Sequence, residues 1–413
     1  AWNADPCSLG CFGEYESYPT ATSLSQYGIT WTFSEPVEYG QFVNGDYWVI
    51  GTVTIIGISP GSYVDGTGRI THGSMINPSI GDDQGYDSEF GRNTYSEVNN
   101  VGRPNGNDLT PGNPLAVSVE SSLVSIISHP TPGNRPSISD ASVLTVLSTP
   151  PPEGSFRPPY SGTDKSVNWN INDIQWSKLP RLSRSAISNL PELNSLASGV
   201  QKVWLDHGGG TWTGRYFHPD NHMPDYGRDM AVRTGDVALA LLLDYPLADI
   251  EPLMINFLQL GIDWYGITED GWDKPAPMVE IWWGGGGHGM GRKWPIMFTG
   301  LMFDDPNILK FSDTAQYPIF QEYQQIFNVS QADVDQVRYS ADGRTRDPYT
   351  TDMIGLPEWG EQHRNKPERD GSNAGVSYRD IVATSTTGHV LSAHIMDAVE
   401  LWNHQDYFDY YDR

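Results

Sequence analysis

The sequence has no long apolar stretch: its longest uninterrupted apolar run is the seven residues from Val237 to Leu243, against the roughly 20 that a membrane-spanning helix needs. A transmembrane anchor is excluded on that count. Cations are scarce as well, with 25 Lys and Arg against 51 Asp and Glu and a net charge of −26. A field of that sign repels phosphate backbones and anionic membrane surfaces, so neither nucleic acid nor a membrane is an expected partner. Cysteine is nearly absent. The only two, Cys7 and Cys11, are close enough to close a small disulfide loop, and with no second ligand pair nearby they do not read as a zinc site. Internal repeats are also missing. The chain begins at Ala1 rather than Met, as a mature protein does after signal-peptide removal, and the expectation is a secreted protein.

What is abundant is large side chains: aromatics make up 12% of the residues, with 14 Trp and 21 Tyr, a supply that disordered sequences lack. At 413 residues two or three domains are the prior. Residues 1–27 are polar, glycine-rich and aromatic, and read either as an N-terminal arm able to order on a second copy or as a strand of its own domain. Residues 28–148 are predicted to form a β-sandwich. Asn44-Gly45 supplies the turn of a hairpin between Gln41 and Ile58; Leu115, Val117, Val119, Leu123 and Ile127 alternate on one parity; Val143 to Leu147 is a further strand. Residues 149–176, opening with Pro150-Pro151-Pro152, cannot continue a helix or a central strand and read as a linker that wraps along one of the domains.

From residue 177 to 413 the texture is helical. Leu247, Ile250, Leu253, Met254, Phe257, Leu258 and Ile262 recur at spacings of three and four, and Val237 to Leu243 suits a helix buried on every side. Further helices are expected at Leu182 to Leu205, His288 to Phe303, Pro318 to Phe327 and Ile381 to Trp402. No strand-like alternation intervenes, and the expectation is an all-α domain of helical hairpins.

Two clusters carry the candidate chemistry. The first runs from Trp204 to Arg233 and is too polar to be core. Within it, Asn221, His222, Tyr226 and Arg228 offer an amide, an imidazole, a phenol and a fixed cation. Removing the proton beside a uronic-acid carboxylate needs that set: the carboxylate must be neutralised while His or Tyr takes the proton and Tyr returns one to the leaving oxygen. The alternative is a hydrogen-bonded loop stapling helix to helix. His218 and His222 also have a spacing seen in metal sites, but Pro219 and Pro224 argue against a helix there, and no metal is expected. The second cluster, Trp282 to Pro295, contains four consecutive glycines, an entropic cost that makes sense where the backbone must approach something closely. Its spacing fails the phosphate-binding loop pattern, and no cofactor is expected. Trp212 and Trp283 could stack on sugar rings, and Arg292 and Lys293 could pair with carboxylates or hydroxyls. Close packing of small residues is the alternative for this cluster. Carboxylates for hydrolysis are present too, among them Asp225, Asp229, Asp236, Glu280 and Glu358.

The stretch Tyr226-Gly227-Arg228-Asp229, the glycine-rich His288-Gly289-Met290-Gly291-Arg292-Lys293-Trp294-Pro295, and the C-terminal Trp402 to Arg413 together resemble bacterial secreted carbohydrate-active enzymes with an (α/α) toroid, polysaccharide lyases in particular. The resemblance covers roughly Ser177 to Arg413. It implies a toroid-like helical domain behind the β-sandwich, complete or incomplete, since about 237 residues is short for six or seven helix pairs. It also implies a cleft at which Asn221 or His222 neutralises a uronate carboxylate, Tyr226 acts as base or acid, Arg228 orients the substrate and His288 serves as base. The function expected is β-elimination on a uronic-acid-containing polysaccharide. A hydrolase using paired carboxylates and a non-enzymatic, self-associating extracellular protein remain as alternatives.

Overall fold

A computed structural model describes residues 18–90, 95–103, 108–209, 212–274, 281–282, 285–335, 349–360 and 382–413. Cys7, Cys11, Trp283, Glu280 and most of the expected N-terminal arm lie outside the described residues.

The N-terminal half is built from ten strands: β1 (Thr20–Gln26), β2 (Ile29–Gln41), β3 (Tyr47–Ile50), β4 (Val53–Ser59), β5 (Tyr63–Val64), β6 (Ile70–Thr71), β7 (Ser74–Ile76), β8 (Leu115–Val117), β9 (Ser121–Ser128) and β10 (Ile138–Leu147). Eight of them form one sheet in the order β7-β9-β10-β3-β2-β4-β8, with β1 also paired to β2, and β5 and β6 form a separate ribbon. The sheet is mixed, because β10 runs parallel to β3 while its other partner, β9, is antiparallel. The two stacked sheets of the expected sandwich are replaced by a single, nearly closed barrel. Strand β2 makes the difference. Its first half pairs with β4 as far as Phe33, through a register shift after Thr32, and its end pairs with β3 from Tyr39 to Gln41. One long, bent strand thereby joins the two flanks of the sheet, a known route to barrel-like closure. The Asn44-Gly45 turn forms, with Phe42 N–H donating to the Asp46 carbonyl at 2.9 Å and Gly45 at φ 89°. Strand β1, within the stretch read as an arm, is paired along its length to β2.

Every residue of β10 is buried, and all but one of β9. One parity, with Leu123, Leu144 and Val146, fills the barrel beside Trp31, Phe33 and Val117. The other, with Val124, Ile126, Ala141 and Val143, joins the core shared with the helices. A strand pair buried on both faces leaves no seam between separate domains. The proline-rich segment runs through that shared core: Phe156, Arg157 and Tyr160 have no exposed surface. Arg157 forks Asp263 at 2.9 and 2.6 Å and meets Asp46 at 2.6 Å, joining the barrel turn to the helical layer.

The helical region is not a toroid. Helix makes up 35% of the structure, in α1 (Leu193–Gly199), α2 (Gly227–Leu241), α3 (Leu247–Gly271), α4 (Lys293–Phe303) and shorter pieces toward the C-terminus. The stripe of α3 is realised, and burial extends around it to Asn256, Gln259 and Asp263, so α3 is the central helix rather than an outer face. Leu182 to Leu205 contains only a 3-10 turn at Arg184–Ala186 and the seven residues of α1, because Pro191 and the Ser- and Asn-rich sequence around it favour turns and caps. The expected helix from Pro318 stops at Gln325, and Ile326–Asn328 pairs as a strand with Pro357–Trp359. That β-ribbon interrupts the helical half where only helices were expected.

Candidate functional site

The site grows from the N-terminus of α2 and the glycine-rich loop before α4. Gly227, the first residue of α2, sits so close to that loop that a Cβ would overlap the carbonyl oxygens of Gly287 and His288. Gly291, at φ 91°, faces the Ala231 backbone in the same way. Close backbone approach therefore accounts for these glycines, and it brings the two sequence clusters together. The rings of Tyr226 and His288 meet edge to face with centroids 4.7 Å apart.

Beneath them lies a buried ionic centre. Asp206 accepts two hydrogen bonds from Arg292, Nε to Oδ2 at 2.8 Å and Nη2 to Oδ1 at 2.9 Å. Its Oδ1 is also 3.2 Å from His218 Nε2, and His218 Nδ1 is 3.2 Å from the Pro224 carbonyl. Burial alone would push the Asp206 carboxyl up, but Arg292 and His218 outweigh it and hold it below the usual range. The remaining Arg292 nitrogen, Nη1, donates to the carbonyls of His288 and Met290, each at 2.7 Å. The Asp206 backbone N–H is in turn held by the Tyr160 hydroxyl at 2.9 Å. A support chain thus runs from the wrapping segment through Asp206 and Arg292 to the His288 main chain.

Above this centre the chemistry is less saturated. His288 Nδ1 is buried without a hydrogen-bond partner. Burial, reinforced by the positive charges of Arg215 and Arg292, pushes the His288 imidazole down to about 4, so the ring is neutral at pH 7. Trp212, 54% exposed, packs edge-on against it at 5.3 Å. Arg215 stacks on Trp212 at 4.5 Å and pairs with Asp225 at 2.6 Å. Arg228 lies 5.5 Å from the Tyr226 ring centre and pairs with Asp229 at 2.8 Å. The cluster presents a neutral imidazole, a phenol, an open indole and two arginines within one neighbourhood.

The other expected site residues go elsewhere. Arg292 is fully buried and committed to Asp206 and two carbonyls, so it is a structural cation and not a sugar contact. Lys293 is also buried; its ammonium contacts the Thr314 hydroxyl and donates to the Trp402 carbonyl at 3.0 Å, and burial pulls it down to about 7. Both cations are buried where α4 begins, Arg292 as its N-cap residue and Lys293 as its first, a placement that spacing alone does not reveal. Asn221 and His222 line a different feature, a groove of about 570 Å³ with Asp229, Val232, Arg233 and Asp236 of α2 and Ser195 and Ser198 of α1; Tyr226, His288 and Trp212 are not among its walls. His222 Nε2 donates to the Val203 carbonyl at 2.9 Å, and Nδ1 lies 3.7 Å from Asp140. Among the described residues no three His, Cys, Asp or Glu side chains gather as a metal-ligand set; His218 and His222 face different partners.

Sequence reasoning gave no role to Asp206 or Arg215 beyond membership in a polar stretch. Their importance comes from pairing across loops, which the linear sequence does not record. Compared with protein families, curated proteins and solved structures, the chain matches none.

Proposed function

We propose that the protein is a secreted lyase that cleaves a uronate-containing polysaccharide by β-elimination at Tyr226 and His288. The observation that carries the reading is the neutral His288 imidazole, its Nδ1 without a hydrogen-bond partner, packed edge to face on the Tyr226 ring beside an exposed tryptophan. Neutral His288 takes the proton next to the uronate carboxyl. The electron pair left behind forms the new carbon-carbon double bond as the neighbouring C–O bond breaks, and Tyr226 O–H protonates the departing oxygen. His288 then returns a proton to the phenolate through solvent. Arg228 and Arg215 meet the carboxylate, which must be neutralised for its α-proton to become acidic. The test is incubation with a panel of uronic-acid polysaccharides while following the ultraviolet absorbance of the unsaturated product. Wild type should generate it, and Tyr226→Phe and His288→Asn should abolish it.

A second reading is favoured by the groove. Asp229 and Asp236 project into it from one face of α2, seven residues and so about 10 Å of helix rise apart, near the separation that inverting glycosidases use. Burial pushes the Asp236 carboxyl up, as a general acid requires, while Asp229 is ion-paired to Arg228. Reducing ends without ultraviolet absorbance, lost in Asp236→Asn, would select hydrolysis there. Silence in both assays would move the account to a non-catalytic, self-associating protein.

A further inference from the structure

A cavity of about 180 Å³ opens between the wrapping segment and the C-terminal half of α3. Residues between Pro159 and Trp169 form one wall, and Tyr265, Gly266, Glu269 and Asp270 the other. It shares no wall with the groove, and none of its lining residues belongs to the Tyr226–His288–Trp212 cluster.

The wrapping wall is held in shape from within. Lys165 turns inward and is 2% exposed, and its ammonium donates to four consecutive carbonyls, those of Pro159, Tyr160, Ser161 and Gly162, at 2.8, 3.3, 3.1 and 2.7 Å. Gly162 N–H donates to the Pro78 carbonyl at 3.0 Å and Tyr160 N–H to Asp263 at 3.2 Å. On the other side Gly266 lets the segment seat directly on α3, since a Cβ there would overlap the Pro159 ring. The cavity is therefore shaped before any ligand arrives.

Its polar groups are left open where its charges are not. Ser161 is 2% exposed, and its hydroxyl has no hydrogen-bond partner, a cost that a ligand hydroxyl would relieve. The half-buried Tyr265 hydroxyl and the exposed Asn168 amide also lack partners among the described residues. Trp169 stands edge-on to the Tyr265 ring, centroids 6.0 Å apart, and fixes its orientation. Glu269 is paired with Lys310 and Asp270 with Lys274, so neither is free to hold a cation. Asp164 keeps its charge at the mouth, where it disfavours an anion; one of its oxygens accepts the Ser166 N–H at 2.9 Å.

We infer that this cavity is a binding site for one neutral sugar, separate from the Tyr226–His288 centre. Hydroxyls and an amide that both donate and accept suit vicinal sugar hydroxyls, and a fixed aromatic ring suits the C–H face of a pyranose. The volume is that of about six waters in the liquid, room for one ring rather than a chain. This goes beyond the lyase reading and stands whether or not that reading does.

The experiment is saturation-transfer NMR and calorimetric titration of the full chain with glucose, galactose, mannose and N-acetylglucosamine, with glucuronate and choline as the charged controls. At least one neutral sugar should bind, the charged controls should not compete with it, and His288→Asn should bind it as wild type does. Asn168→Ala and Tyr265→Phe should each weaken it by roughly three- to tenfold, the loss of one hydrogen bond, with thermal unfolding unchanged because one side chain is exposed and the other keeps its ring. Absence of binding by every neutral sugar, displacement by choline, or equal affinity in wild type and both variants would overturn the site.

Discussion

Two neighbouring regions of the molecule use the same residue types to opposite ends. In the Asp206–Arg292–His218 centre every ionisable nitrogen and oxygen has a partner and none meets solvent. In the Tyr226–His288–Trp212 cluster, linked to it through one Arg292 hydrogen bond, the buried Nδ1 of His288 has none. A saturated network has no capacity left for a ligand. Its value is rigidity, and here the rigid centre holds an unsaturated one in place, the division between a site and its support. In this protein the buried Arg292 is committed wholly to internal partners, while Arg215 and Arg228 stand partly exposed at the rim, each paired with one carboxylate.

Breaking the saturated side should have the largest effect. Arg292→Met leaves Asp206 buried without its main counter-charge and should cost about 3–5 kcal/mol of stability, read by chemical denaturation. An Arg292→Met protein of wild-type stability would mean the ionic centre supports nothing. Next comes the unsaturated side: His288→Asn should lower kcat by about 10²–10⁴-fold, the usual contribution of a general base, while the denaturation midpoint stays near wild type. If His288→Asn instead unfolded the protein with activity per folded molecule preserved, the two regions would have exchanged roles.

A smaller effect is expected from pH. Burial depresses His207 to about 4 and His389 to about 3, below the ordinary value near 6.5. In that window the unfolded chain binds protons that the folded one excludes, so stability rises with pH from about 4 to about 6.5 and is level above. The slope approaches about 1.4 kcal/mol per pH unit for each such group. Denaturation midpoints across this range should climb with pH, and His389→Asn should flatten the climb; a midpoint independent of pH would contradict neutral burial. Smallest of all, Trp212→Ala should change stability by less than about 0.5 kcal/mol, as exposed substitutions do, and weaken oligosaccharide binding without affecting folding. A large loss of stability would make Trp212 a packing residue.

Local signals in the sequence were legible and long-range ones were not. The Asn44-Gly45 turn, the strand over Val143 to Leu147 and the stripe of α3 follow from turn chemistry and period, and the structure contains them. Barrel closure depends on where β2 shifts register and exchanges partners, which is decided by pairing with strands distant in the chain. Expectation of a toroid extended a few periodic helices over a region where Pro191 and the strand Ile326–Asn328 break the pattern. At the site, residue type pointed to Tyr226 and His288, and the glycines signalled the backbone contact that joins them. Arg292 and Lys293 follow the same glycine run, and nothing in their spacing tells a buried counter-ion from a sugar contact. That is decided by Asp206, Thr314 and Trp402, none of them close in sequence.

The most direct measurement is the NMR titration of His288, assigned by comparison with His288→Asn. A ring that stays neutral through pH 5 and titrates near 4 is the result predicted for an imidazole buried between Tyr226 and Trp212 under the charges of Arg215 and Arg292. An ordinary titration near 6.5 would contradict it, and with it the assignment of His288 as the base.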